Sequence, residues 1–288
     1  IPVMRNPELD DDGNTVIVAA TDAVPPTLRP GSLAAADVIA GLLVNKYERH
    51  LPLHRISRAA LADQGLSLPV STLADWAADG GNACRRIAGV ISRGLLDHWL
   101  VRTDATGLRV LDADGATRGT IWCYVGWSRE PDKPPDVLFV YTPTGEGATG
   151  PWAMLAGRGG YVQADALNIY DRVFNGDVAC ATEVGCLAHA RRKFVELLPE
   201  DKRAAYVVQL IRRVYRLETL ADKKRMSLDE RTELRQSRTR PIFEAKLLPY
   251  LERLKKDDVP TAPILAASTY MTNHWAALTR FLDDGALP

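Results

Sequence analysis

Residues 99–127 read Trp99-Leu-Val-Arg-Thr-Asp-Ala-Thr-Gly-Leu-Arg-Val-Leu-Asp-Ala-Asp-Gly-Ala-Thr-Arg-Gly-Thr-Ile-Trp-Cys-Tyr-Val-Gly-Trp127, and their reading decides the fold class. Trp99–Asp104, Gly107–Asp112 and Thr120–Trp127 are rich in β-branched and aromatic residues, which fit a pleated, half-buried surface. Asp114-Gly115, lying between two apolar runs, is a hairpin signal. Further on, Val137–Thr142, Tyr161–Asp165 and Val178–Thr182 read as strands, and Trp152–Leu155 as a short helix between them. From Leu187 the pattern is helical: Ala204–Ala221, Leu228–Leu254 with a break near Pro241, and Ala262–Asp283. Successive β runs followed by a βαβ-like alternation predict an α/β fold with a mixed sheet flanked by helices.

Toward the N-terminus the character differs. Residues 1–31 carry Pro2, Pro7, Pro25-Pro26 and Pro30-Gly31, with one strand-like run at Thr15–Ala20, and are expected to be an irregular linker or remnant. A helix is expected from a Ser32 cap, with Leu33, Val38, Leu42, Leu43 and Tyr47 at near-helical spacing. Leu51–Gly65 reads as a second helix ended by a left-handed glycine, and Ser71 as the cap of another. A third stretch, Gly81–Leu100, turns Ile87, Val90, Ile91, Leu95 and Leu96 inward. Helix, short turn and capped helix form the helix-turn-helix plan, a pattern also common in plain all-α packing. On the DNA-binding reading Ser71 and Thr72, at the start of the second helix of the pair, are contact candidates.

The chain has 288 residues, 46% hydrophobic and 25% charged, with 36 Lys plus Arg against 36 Asp plus Glu. That is the composition of an ordinary globular protein of one or two domains. No apolar run approaches the ~18 residues of a membrane span. The start lacks a basic-then-apolar leader, and Cys84, Cys123, Cys180 and Cys186 form no C-x-x-C, so a reduced, cytoplasmic setting is expected. There is no G-x-S-x-G, no Walker loop and no strand-coupled G-x-G-x-x-G, which excludes the simplest hydrolase and nucleotide-binding classes.

Asp104 and Asp165 stand at or just past strand ends beside small residues. Two such carboxylates converging could hold Mg²⁺ or Mn²⁺, which prefer oxygen ligands, and so assist phosphoryl transfer. They also fit as simple turn residues. Cys186-Leu-Ala-His189 has C-x-x-H spacing, but with Cys180 it supplies no fourth zinc ligand, which favours a packed thiol and a hydrogen-bonded imidazole. From Leu187 to Lys256 there are 19 Lys/Arg against 10 Asp/Glu, in clusters at 191–193, 212–213, 223–225 and 231–240. They fit a solvated helical face with pairs such as Glu218–Asp222 beside Lys223–Arg225, or a surface that binds phosphates.

Five segments together resemble the transposases of the insertion-sequence-66 family. They are Leu43-Val-Asn-Lys-Tyr-Glu-Arg-His-Leu-Pro-Leu-His-Arg55, Gln64-Gly-Leu-Ser-Leu-Pro-Val-Ser-Thr-Leu-Ala-Asp-Trp76, Tyr161-Val-Gln-Ala-Asp165, Cys186-Leu-Ala-His-Ala-Arg-Arg-Lys-Phe194 and Trp275-Ala-Ala-Leu-Thr-Arg-Phe-Leu-Asp-Asp-Gly285. They follow the family's order and spacing. The resemblance implies a ribonuclease-H-like core of the DDE type that cuts and joins DNA with Mg²⁺ or Mn²⁺. It makes Asp104 the first and Asp165 the second catalytic carboxylate and metal ligand. Arg191, Arg192 and Lys193 become candidates for phosphate contact.

The domain plan that follows is a helical, helix-turn-helix-like DNA-binding region over 32–100, a catalytic core over 101–200 and a helical insertion over 201–288. Partners would be DNA, at transposon ends and target, with self-association a further expectation and no membrane. The setting would be bacterial cytoplasm, nucleoid-associated when bound. The chain departs from the family pattern in three places. Thr103-Asp104-Ala-Thr-Gly lacks a proline and a second acidic residue often found there. The family's cysteine-bearing zinc module is expected to precede the first residue, and its third acid, a Glu, to follow the last, with Asp283 and Asp284 lying before that Glu's place. The rival expectation is a catalytically inactive transposase remnant that at most binds DNA.

Overall fold

A computed structural model describes residues 3–9, 15–19, 26–112, 115–130, 133–256 and 262–288. Two compact units divide the chain, Ile1–Val90 and Ile91–Pro288. In the first, β1 (Val3–Leu9) pairs antiparallel with β2 (Thr15–Ala19), so the stretch expected to be irregular contains a two-stranded ladder.

Three helices follow, α1 (Ala36–Leu43), α2 (Leu53–Gln64) and α3 (Val70–Leu95). They meet over Ala34, Ile39, Leu42, Leu73, Trp76 and Ala77. Ser32 does not cap α1: its hydroxyl accepts from the Ala34 amide, Ala35 holds the cap position, and Leu33 is 95% exposed. Ser71 does not cap α3 either. Pro69 precedes it and its carbonyl accepts from the Leu73 amide, which starts the helix at Val70. The two glycines at 80–81 do not interrupt α3. A Cβ on Gly80 would lie 2.8 Å from Ile39 and Leu43, so a bare backbone is what lets α1 approach. Ile87 and Val90 are exposed, contrary to the expected inner face, whereas Leu95 is fully buried.

Helix α2 ends as its sequence predicts, with Gly65 at φ +67 and the amides of Gly65 and Leu66 donating to Leu61 and Ala60. Nothing lies within 4 Å of a Cβ built there, so Gly65→Ala meets backbone strain alone. A residue with a Cβ in that region costs about 1–2 kcal/mol, and urea unfolding should report a loss of that size.

The second unit is built on a five-stranded sheet of order β5-β4-β3-β6-β7. Here β3 is Leu100–Asp112, β4 Gly115–Trp127, β5 Asp136–Thr142, β6 Tyr161–Ala164 and β7 Thr182–Gly185. Within this sheet β3, β4 and β5 run antiparallel, while β3–β6 and β6–β7 are parallel. The two runs 99–104 and 107–112 are one strand. Ala105, Thr106 and Gly107 stay on the ladder opposite Trp122, Ile121 and Thr120, and Gly107 leaves room for the Arg118 guanidinium. The ladder closes with Asp112 opposite Gly115; Asp114 of the expected hairpin lies outside the described residues. The strand expected at 178–182 forms later, at Thr182–Gly185. The amide of Cys180 and the carbonyl of Val178 are engaged instead by Arg158 and Gly157 of the preceding loop.

Short helices α4 (Pro151–Leu155) and α5 (Asp171–Phe174) flank β6. Beyond β7 come α6 (Leu187–Leu197), α7 (Ala204–Lys223), α8 (Leu228–Leu234), α9 (Arg240–Ile242), α10 (Leu248–Lys255), α11 (Ala262–Asn273) and α12 (Trp275–Thr279). The expected break near Pro241 is milder than a break. Wide π-turns at Arg235–Thr239 and Phe243–Leu247 precede Pro241 and Pro249, and widening the turn relieves the clash of a proline ring with the carbonyl four residues back. Buried residues of α7 recur at three- and four-residue steps: Val207, Leu210, Ile211 and Val214. They share one core with Leu100 and Val184 of the sheet and with Phe194, Phe243, Leu251, Ile264 and Met271. Each such buried side chain contributes about 1.5–3 kcal/mol, more than an exposed ion pair at about 0–1 kcal/mol. Apolar packing therefore attaches the helices to the sheet.

Three arginines of the 231–240 cluster are engaged by the protein itself. Arg235 is 1% exposed; it pairs with Glu218 and donates to the carbonyls of Phe281, Asp284 and Leu287. Arg231 joins Glu218 and Asp222, and Arg240 joins Glu244 and Asp283. Glu218 and Asp222 thus serve arginines from the next helix rather than Lys223–Arg225. Asp284 pairs with Arg129.

Candidate active site

Asp104 and Asp165 come together because of strand register. The parallel pairing of β3 with β6 sets Leu100 opposite Tyr161, Val101 opposite Val162 and Arg102 opposite Gln163. Carried two residues further, the same offset puts Asp104 level with Asp165. Strand alternation turns buried Thr103 to one face, where its hydroxyl meets the Tyr170 hydroxyl at 3.1 Å, and Asp104 to the other. On the far side of β6, Ala164 pairs with Gly185 of β7. One residue later Cys186 opens α6, and His189 sits on its first turn.

One ligand atom from each of Asp104, Asp165 and His189 lies within 4.8 Å of the others. His189 Nε2 is 3.8 Å from Asp104 Oδ1, and its Nδ1 is buried without a hydrogen-bond partner among the described residues. Asp104 Oδ1 accepts from the Ala105 amide at 2.8 Å, and Asp165 Oδ1 from the Leu167 amide at 3.3 Å. Asp104 keeps 57% of its side chain exposed, and Asp165 and His189 line an open cleft of about 860 Å³.

Arg118 of β4, Arg192, Lys193 and Glu196 of α6, and Tyr270 of α11 line that cleft. Two of the three predicted phosphate contacts, Arg192 and Lys193, therefore share the cleft with Asp165 and His189. Arg191 does not line it: its half-buried side chain has a shielded, unpartnered Nε. Ser71 and Thr72 belong to the other unit, on the first turn of α3, Ser71 exposed and Thr72 half-buried.

Three lining residues, His189, Arg118 and Tyr270, escape a sequence reading of the carboxylates. The C-x-x-H spacing does mark His189, but its companions are two distant aspartates rather than a neighbouring Cys or His. Arg118 and Tyr270 carry no local signal.

Burial shapes the neighbouring acids. It raises the Tyr170 phenol, an effect to which Asp165 and Asp104 add, and it pushes Tyr270 up to about 12, helped by Asp165, Cys186 and Glu183. Both phenols are protonated donors at neutral pH. Burial and then Asp104 raise the Cys123 thiol, which argues against a nucleophilic thiolate there. Glu183 of β7 is raised by burial, with His274 and Arg280 opposing and Asp171 reinforcing. A carboxyl raised on folding stabilises below its unfolded pKa, and that contribution is lost as pH rises through the folded value. Glu183→Gln should therefore gain stability at pH 7 relative to the parent, with the gain shrinking toward pH 4. Thermal unfolding at the two pH values measures it.

Among the described residues no helix is long and apolar enough to cross a membrane. The model of the family described as Transposase IS66 family matches residues 31–288. Three proteins of Sinorhizobium fredii are similar. Uncharacterized protein y4hP is 27% identical over 89% of the chain and 49% of its own length. Uncharacterized protein y4jD is 28% identical over 91% and 52%, and uncharacterized protein y4qI 29% identical over 99% and 54%. The chain spans about half the length of these curated relatives.

Proposed function

The chain belongs to the IS66 family of transposases, and from that premise we propose that its second unit carries the phosphoryl-transfer site that cuts and joins DNA. The observation that carries the reading is the meeting of Asp104, Asp165 and His189 within 4.8 Å, on a face where strand register puts both carboxylates at one level. The five-strand order, antiparallel then parallel, supports a ribonuclease-H-like core. Within this reading, 101–200 supplies the carboxylates, 201–288 is a helical insertion, and 32–100 is a helix-turn-helix-like region whose Ser71 and Thr72 touch DNA.

Two carboxylates and an imidazole with a free, buried Nδ1 suit a divalent cation. Hard oxygen donors favour Mg²⁺ or Mn²⁺, and the nitrogen tilts the choice toward Mn²⁺. Such an ion, when bound, supplies Lewis-acid charge to an in-line displacement at phosphorus. The protein's own part is binding and orientation. Arg192 and Lys193 on one wall and Arg118 on another take phosphate oxygens, offsetting the repulsion that two aspartates exert on a DNA strand. Arg191, shielded from the cleft, takes part less directly, through α6. His189 Nε2 stands 3.8 Å from Asp104 Oδ1, beyond hydrogen-bond reach and near enough for both to hold one ion. The protein would act in the bacterial cytoplasm on transposon ends and target, nucleoid-associated when bound and self-associating.

Nicking of DNA bearing the element's ends, with Mn²⁺, tests this against Asp165→Ala. Cleavage by the parent that the variant lacks is the expected result. Equal signal from both removes the metal-dependent site, and DNA binding without cleavage by the parent leaves the remnant reading.

A further inference from the structure

We propose that Tyr270 is a positioning residue for Asp165, clamping the turn behind it so that the carboxylate faces Asp104 and His189; the inference rests on the metal-site reading above. Ala166, directly after Asp165, has φ +58. For a residue with a Cβ that conformation costs about 1–2 kcal/mol, and it persists only where the surroundings impose it.

The surroundings do so from both sides of the peptide. The Tyr270 hydroxyl donates to the Asp165 carbonyl at 2.8 Å, across 105 residues of chain. The Leu167 amide donates to Asp165 Oδ1, and the Leu167 carbonyl accepts from the Tyr170 amide at 2.9 Å. Tyr270 is itself fixed. The Lys193 ammonium lies 4.4 Å over its ring, and the His274 ring stacks at a tilt 5.0 Å away. The bond to the carbonyl leaves the carboxylate free, so Tyr270 acts through the backbone. It ties α11, in the helical segment 201–288, to the tip of β6.

Mn²⁺ titration calorimetry on the whole chain tests the proposal with the parent, Tyr270→Phe, Ala166→Gly, their double variant and Asp165→Asn. Tyr270→Phe keeps the ring and its contacts and removes one hydroxyl. It should bind Mn²⁺ about tenfold more weakly, the lower end of the loss for an outer partner of a metal ligand. Ala166→Gly, which removes the Cβ penalty of the left-handed turn, should bind like the parent and, in the double variant, restore most of what Tyr270→Phe loses, since both act on one turn. Parent-like affinity in Tyr270→Phe, alongside a large loss in Asp165→Asn, overturns the clamp and leaves the metal site standing. A double variant as weak as Tyr270→Phe overturns it too, because Tyr270 would then not act through the turn. A parent that binds no better than Asp165→Asn overturns the metal reading and the clamp with it.

Discussion

Arg235→Ala is expected to lower the unfolding free energy by about 3–5 kcal/mol, the range for removing one partner of a buried ion pair. Its guanidinium is 1% exposed and donates to both Glu218 oxygens and to three carbonyls near the chain's last residues, at 2.6–2.9 Å. Alanine leaves Glu218 without that partner, and the carbonyls of Phe281, Asp284 and Leu287 lose their donor. Each orphaned buried acceptor adds a desolvation cost of about 1–3 kcal/mol. Lysine offers no planar fork and would recover only part of the loss. Exposed Arg238, one turn on, is the control, and its alanine variant should stay within about 0.5 kcal/mol. Urea unfolding measures both; a loss below 1 kcal/mol for Arg235→Ala would contradict the role assigned to it.

Asp165→Asn should weaken Mn²⁺ binding by roughly a hundredfold, on the scale of about 1.4 kcal/mol per tenfold and a few kcal/mol for a charged ligand in such a site. Asparagine keeps the size and one acceptor oxygen, so the Leu167 amide retains a partner and the turn survives. What disappears is the charge. Asp104→Asn should fall in the same direction by less, because 57% of that side chain is exposed and water screens it. His189→Ala should cost about tenfold, as the loss of a neutral ligand. Without an ion the two carboxylates repel one another, so metal-free Asp165→Asn should unfold at or above the parent's temperature. A variant that bound Mn²⁺ like the parent would leave Asp165 an ordinary turn residue.

The strands and helices were legible where the pattern is local. The period-two runs around Trp122 and Tyr124, the left-handed Gly65 and the three-and-four spacing of Val207, Leu210 and Val214 all carry their own signal. Errors arose where a distant partner decides. The runs 99–104 and 107–112 read as two strands but are one on the ladder with β4, and Gly81 read as the start of a helix but lies inside α3, where Gly80 admits α1. Ser32 and Ser71 look like caps, and proline or packing nearby moved each helix start. The cations of 231–240 read as a face for solvent or phosphate, yet three of them answer Glu218 and Asp222 of α7, Glu244 of the π-turn 243–247 and Asp283. Asp165 reads as a strand-end acid and is one; Asp104 reads the same way but lies within β3, two residues past the end of its pairing with β6. His189, Arg118 and Tyr270 join them only through the parallel register of β3, β6 and β7, which no spacing along the chain displays.

The central claim is that Asp104, Asp165 and His189 share one divalent cation. The most direct measurement is anomalous scattering from crystals of the chain soaked in Mn²⁺. The account predicts one strong peak at ~2.0–2.4 Å from an oxygen of each aspartate and a nitrogen of His189. A map with no peak there, or with Mn²⁺ bound only at other carboxylates, contradicts it.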